Sequence, residues 1–356
     1  MASGWEVRPS LWFDANCLLP LIAGIPFYTT RHVDDSERWQ QRFSALAPSQ
    51  AMSAVSALRG EISEGAGKPL PAFLALWTSP AAVRGSATTE LEALIAAVAD
   101  PEMLPRLMQD TSPHWSQADE DLFRRARPHL LSALTGLRAA GLAEWWLEHA
   151  EAELRSRCAQ LRPVLGPHDL VPLVERYAGI SLPGRWVELC ILRWAAPHAI
   201  RVTGVRFLGD VRYDSSTLVN NAVHELLHPP FPAQHPVVEQ LHNMSTDPFL
   251  AQRFAARDRA SGYNNWSSYV EEDAAQALDQ FITNRIGTNA QAPVTRWGAS
   301  DGGMHVLAVL LHETLVRGEF DPDKESYADF LSGAFADHDL WPADLGHRYL
   351  QVTQAT

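Results

Sequence analysis

The stretch Ser215-Ser216-Thr217-Leu218-Val219-Asn220-Asn221-Ala222-Val223-His224-Glu225-Leu226-Leu227-His228 constrains this chain more than any other. Leu218, Val219, Ala222, Val223, Leu226 and Leu227 recur at three- and four-residue spacing, which predicts a helix with one buried face. Ser215 or Ser216 suits its N-cap, and Pro229-Pro230 stops it. Residues four apart lie one above the other on a helix, so His224 and His228 leave the same face and can offer two imidazole nitrogens to one metal ion. Glu225 is turned from His224 by about 100° and stays off the ion, within reach of a water held there, where a general base belongs. At this chain's His and Glu content, H-E-x-x-H arises by accident roughly 0.03 times. An accidental match would rarely sit on a capped apolar helix that follows strand-like sequence.

A catalytic zinc site needs a third protein ligand and an open position. His235 follows His228 by seven residues, one too many for H-E-x-x-H-x-x-G-x-x-H, and that pattern's third His and its Gly are held here by Gln234 and Phe231. His242 and Glu239 have no pattern behind them. The better source is the predicted helix Trp266 to Ile282, which carries Glu271-Glu272-Asp273-Ala274-Ala275. At about 100° per residue, Val270, Leu278 and Phe281 lie opposite Glu272, while Ala275, Gln276 and Asp279 share its face. Glu272 is therefore preferred as ligand, with Glu271 the alternative, and Gln276 and Asp279 are placed to orient the ligands.

H-E-L-L-H followed by Glu272-Asp273-Ala274-Ala275 resembles the gluzincin zinc metallopeptidases, in which E-x-x-A follows H-E-x-x-H after some tens of residues. The resemblance covers roughly residues 200 to 285 and points to an uncharacterised bacterial subfamily. The chain departs from better-known members in Pro229-Pro230 directly after the motif, and in having no asparagine directly before Glu272. The resemblance implies one Zn2+ per chain on His224, His228 and Glu272. It also implies hydrolysis of a peptide or protein substrate with Glu225 as general base. Zinc peptidases usually add a group that stabilises the oxyanion. Tyr263 is the first candidate, with His305, Tyr327 and His338 behind it. The alternative function is a non-catalytic zinc-containing peptide-binding or scaffold protein.

The expected fold is α+β and mainly helical, with a zincin-like catalytic core and a small β-sheet beside the motif helix. Glu6 to Asp14 starts with strand-like alternation. Helical patterns then run from Asp34 to about Leu161, including Ser53 to Ser63, Pro71 to Trp77, Thr88 to Ala99 capped by Thr88 or Thr89, Asp119 to Arg127 capped by Ser116, and one or two long helices over Leu130 to Leu161. Pro167, Pro172 and Pro183 mark a connection, so a helical region over 1–165 and a catalytic region over 166–356 are expected. Arg185 to Trp194 reads as strand or short helix, and Ile200 to Tyr213 as two short strands able to pair with an extended peptide. Downstream, Met304 to Val316 and Ser326 to Phe335 read as helices, and Thr295 to Gly303 as a loop.

Composition excludes other classes. The net charge of -13 and pI near 5.5 give no basic face for nucleic acid or an anionic membrane. No apolar run approaches the ~18 residues of a membrane span, and Cys17 to Ile25 is broken by Pro20 and lacks the basic lead of a signal peptide. Cys17, Cys158 and Cys190 lack metal spacing and are read as buried thiols. The compartment stays open: cytoplasmic if Met1 is native, exported if a leader has been removed.

Overall fold

Strand pairing ties the start of the chain to its middle. In the computed structural model, which describes residues 4–112, 115–197, 199–257, 265–299 and 303–354, β1 (Trp5–Pro9) runs parallel to β2 (Val187–Leu192), with Trp5 opposite Val187. β2 runs parallel to β4 (Arg206–Asp210), and the two-residue β3 (Ile200–Arg201) closes the sheet antiparallel to β4, giving the order β1-β2-β4-β3. Every residue of β2 is buried. A strand covered on both faces shows no alternation, which is why Arg185 to Trp194 left strand and helix undecided. Its one charge, Glu188, pairs with Arg8 at 3.0 Å and Arg206 at 2.9 Å. Burial would raise its carboxyl, but these guanidiniums bring it below the ordinary value.

The chain divides into two compact units: Met1–Pro167 with Trp186–Ser215, and His168–Arg185 with Ser216–Thr356. A single boundary near residue 165 therefore does not describe it, because the strands β2 to β4 belong with the N-terminal segment. The sheet expected beside the motif helix is in the first unit, whereas that helix from Ser216 onward is in the second. The result is a mainly helical α+β protein with one small mixed sheet.

In the first unit α1 (Leu11–Ile22) follows β1 directly and is buried throughout. Its Asp14 accepts hydrogen bonds from Trp146 Nε1 at 2.8 Å and from the backbone N–H groups of Arg193 at 2.8 Å and Trp194 at 3.3 Å. Burial nevertheless pushes the Asp14 carboxyl up to about 7. The region read as one or two long helices holds three: α2 (Gln117–Ala139), α3 (Leu142–His149) and α4 (Glu151–Leu165). Gly141, at φ +71°, makes the first break, a left-handed conformation that costs other residues dearly. Ser116 caps α2 in a reciprocal capping box with Asp119. The cap of Ala87–Ala99 is Ser86 rather than Thr88 or Thr89. The helix expected to end at Ser63 instead passes from Ser49–Leu58 into a π-helical segment, Arg59–Gly65. Cys17, Cys158 and Cys190 are free and buried. No helix among the described residues is long and apolar enough to cross a membrane.

The second unit is built round one buried helix. α5 (Ser215–Leu226) carries the first motif histidine and α6 (Trp266–Arg285) is the central element. They are followed by α7 (Pro293–Ala299), α8 (Val306–Arg317) and α9 (Tyr327–Ala334). α6 is buried at Tyr269, Val270 and all of 272–283. Its small residues Ala274, Ala275 and Ala277 allow close approach, while Phe281 meets Phe320 at 5.6 Å and Tyr177 at 6.3 Å between ring centroids. Tyr269 donates to Met304 O at 3.0 Å, and Tyr327 donates to Ala274 O at 3.1 Å. Six polar side chains on α6 are also buried: Glu272, Asp273, Gln276, Asp279, Gln280 and Thr283. Helices tolerate such a load only when each group is paired, and the pairing of these groups builds the site.

Candidate metal centre

α5 ends two residues before His228, closed by the Leu227 N–H on His224 O at 3.0 Å. Ser215 and Ser216 lie inside its first turn rather than ahead of it. Proline at 229 disfavours the helical conformation at His228, so the second histidine leaves from the terminating turn. The two rings still meet, with Nε2 atoms 3.2 Å apart and centroids 4.9 Å apart.

Glu272 completes the group. Its Oε1 is 3.5 Å from His224 Nε2 and its Oε2 is 3.5 Å from His228 Nε2. Among the described residues this is the one set of three or more His, Cys, Asp or Glu side chains whose ligand atoms converge, all within 4.8 Å. A tetrahedral ion about 2.05 Å from each donor separates its donors by about 3.3 Å, and the observed separations bracket that spacing. The donor chemistry fits as well, two imidazoles and a carboxylate being a ligand set of catalytic zinc.

The opposite side of each ligand is also held. His224 donates Nδ1–H to Asp279 Oδ2 at 2.9 Å, and His228 donates Nδ1–H to Glu271 Oε1 at 3.3 Å. A carboxylate only accepts, so both Nδ1 atoms carry a proton and both Nε2 atoms face the centre. Glu272 Oε1 accepts from Gln276 Nε2 at 2.8 Å, and the same amide donates to His305 Nε2 at 3.3 Å. His305 in turn donates Nδ1–H to Asp273 Oδ1 at 2.7 Å, and Ala308 N–H donates to Asp273 Oδ2 at 3.0 Å. Asp279 is gripped from behind by Arg296, through Nη1 on Oδ1 and Nη2 on Oδ2, the latter at 2.9 Å.

Two imidazole lone pairs and a carboxylate facing one another repel unless a cation lies among them. In the metal-free chain that cation is a proton. Burial alone would lower His224, but Glu272 and Asp279 overcome it and raise the ring to about 9. Burial likewise opposes ionisation of Glu272, and the two histidines with the Gln276 hydrogen bond bring it below its ordinary value. Asp279 is depressed against burial by Arg296 and His224.

No family model, curated protein or solved structure matches the chain.

The structure brings His224, His228 and Glu272 together, with Asp279 hydrogen-bonded to His224 and Gln276 to Glu272. Glu271 is not in the converging group; it holds His228 from behind. His235 is used elsewhere, its Nδ1 accepting from Val237 N–H and its Nε2 donating to Asp329 Oδ1 at 3.1 Å. His305 is committed to Asp273 and Gln276, and Tyr327 is buried against α6. Neither is available to a substrate. His338 is exposed on a turn, and Tyr263 lies outside the described residues. Sequence reasoning missed Asp273 as the partner of His305, and missed Arg296 altogether, reading it as part of a loop. Arg296 sits on the short helix α7, 17 residues after Asp279, where no spacing rule links the two.

Proposed function

We propose that the second unit is the catalytic unit of a zinc-dependent hydrolase that cleaves peptide bonds. The observation that carries this reading is the convergence of two Nε2 atoms and one carboxylate at zinc-like spacing, with each of the three side chains held from behind. The gluzincin resemblance of H-E-L-L-H and Glu272 supplies the substrate class, a peptide or protein. A zinc ion held there supplies Lewis acidity, polarising a carbonyl and acidifying water.

The chain's own residues do the rest. His224, His228 and Glu272 would hold the ion, and their side chains, 20%, 27% and 11% exposed, leave the centre within reach of solvent. Glu225 lies on α5 beside His224, whose ring feels its charge. As general base it takes a proton from the attacking water and returns it to the departing amine. Asp279, Glu271 and Gln276 fix the ligand orientations and keep the donors from turning away.

The test is Glu225→Gln assayed against a peptide pool. The expected outcome is unchanged zinc content with turnover lower by about 10²–10⁴-fold. Full activity in the variant would refute the assignment of the base. Zinc in the wild type with no cleavage of any peptide would favour the non-catalytic peptide-binding reading.

A further inference from the structure

We propose that Arg296 is a positioning residue for the metal centre, acting through Asp279 to fix which ring nitrogen of His224 faces the ion. The inference deepens the zinc reading above and rests on it.

Asp279 Oδ2 alone could hold His224, but a lone carboxylate on a buried helix can rotate about its side-chain bonds, and its ring partner then follows or flips. Arg296 removes that freedom. Its planar fork engages both oxygens of Asp279, and the same Nη1 donates to Gln280 Oε1 at 2.8 Å. Gln280 is itself fixed, accepting from Asn289 Nδ2 at 2.9 Å and donating to Asn284 Oδ1 at 2.8 Å and Gln291 O at 3.1 Å. The segment between α6 and α7 is tied to the motif helix too. Thr288 Oγ1 donates to Asn220 Oδ1 at 2.7 Å, and Asn220 Nδ2 donates to Thr288 O at 3.3 Å. Arg296 thus follows directly on a segment that is hydrogen-bonded to both helices of the site. The direction of the relay is set by its chemistry: guanidinium donates to carboxylate, carboxylate accepts Nδ1–H, and Nε2 is left facing the centre.

Lysine keeps the charge but offers a point donor instead of a fork. Arg296→Lys therefore tests orientation with little change of net electrostatics. Zinc dissociation constants would be measured by chelator competition for the wild type, Arg296→Lys, Asp279→Asn and the double variant. The Nδ1–H resonance of His224 would be followed by ¹H–¹⁵N NMR with and without zinc. Zinc binding is expected to weaken about 10-fold in Arg296→Lys, within the 10–100-fold range of such supporting groups. The low-field Nδ1–H signal should shift or broaden, and Arg296→Lys should add nothing once Asp279 is Asn. Wild-type zinc affinity with an unchanged Nδ1–H signal in Arg296→Lys would overturn the inference, as would effects of the two substitutions that simply add. The NMR comparison on the metal-free protein decides the matter independently. A wild type that takes up no zinc would end the metal reading while the ring signal still answers for Arg296.

Discussion

Each side chain of the site matters by what faces it. Asp273 shows this away from the candidate metal centre. It is buried, and it accepts from both His305 Nδ1–H and the Ala308 N–H. Asp273→Ala leaves two buried donors unpaired, so a loss of about 2–5 kcal/mol in unfolding free energy is expected, read from the urea midpoint. A loss under 1 kcal/mol would show that water replaces the carboxylate. His312 gives the clearest pH effect. It lies between Phe281 and Trp297, with ring centroids 6.4 and 5.7 Å away, and Asp279 and Arg296 act on it electrostatically with opposite signs. Burial lowers its pKa to about 4 from 6.5. A histidine depressed in the folded state contributes stability that is whole above pH 6.5 and lost as pH falls towards 4, about 3 kcal/mol over that window. His312→Phe should therefore flatten the fall in urea midpoint between pH 7 and pH 4.5 relative to the wild type. Parallel pH curves would contradict the neutral buried ring.

At the scale of elements, α5 and α6 were the most legible parts of the chain. Apolar spacing marked both helices, and the small polar face of α6 favoured Glu272 over Glu271, which stayed the alternative. The end of α5 was less legible, because Pro229 acts on His228 through local sterics while the ring reaches the centre anyway. Arg296 was illegible because its partner is spatial: a buried carboxylate accepts any guanidinium the fold delivers, and sequence spacing does not report which. The close fit of α6 gives its own prediction. Ala275 is fully buried on the ligand face, so Ala275→Leu should overpack it and cost about 1–3 kcal/mol. It should also weaken zinc binding, measured by chelator competition, because Glu272 lies one turn away. Unchanged stability and affinity would mean that the face has room.

For the molecule as a whole, the mainly helical character and the presence of short strands were readable, but their partners were not. β1 pairs with β2 across some 180 residues, and parallel pairing at that range leaves no local mark in the sequence. That is why residues 186–215 were grouped with the site that follows them, when they pack with the N-terminal segment. Whether His224, His228 and Glu272 hold a metal decides what the second unit does. The most direct measurement is elemental analysis of the full chain, purified without chelator, for the wild type and for His228→Ala, Glu271→Ala and Glu272→Ala. The prediction is about one zinc per chain in the wild type. Zinc should be lost in His228→Ala and Glu272→Ala and retained, with weaker affinity, in Glu271→Ala. A wild-type chain that holds no metal even after zinc is offered would contradict the account.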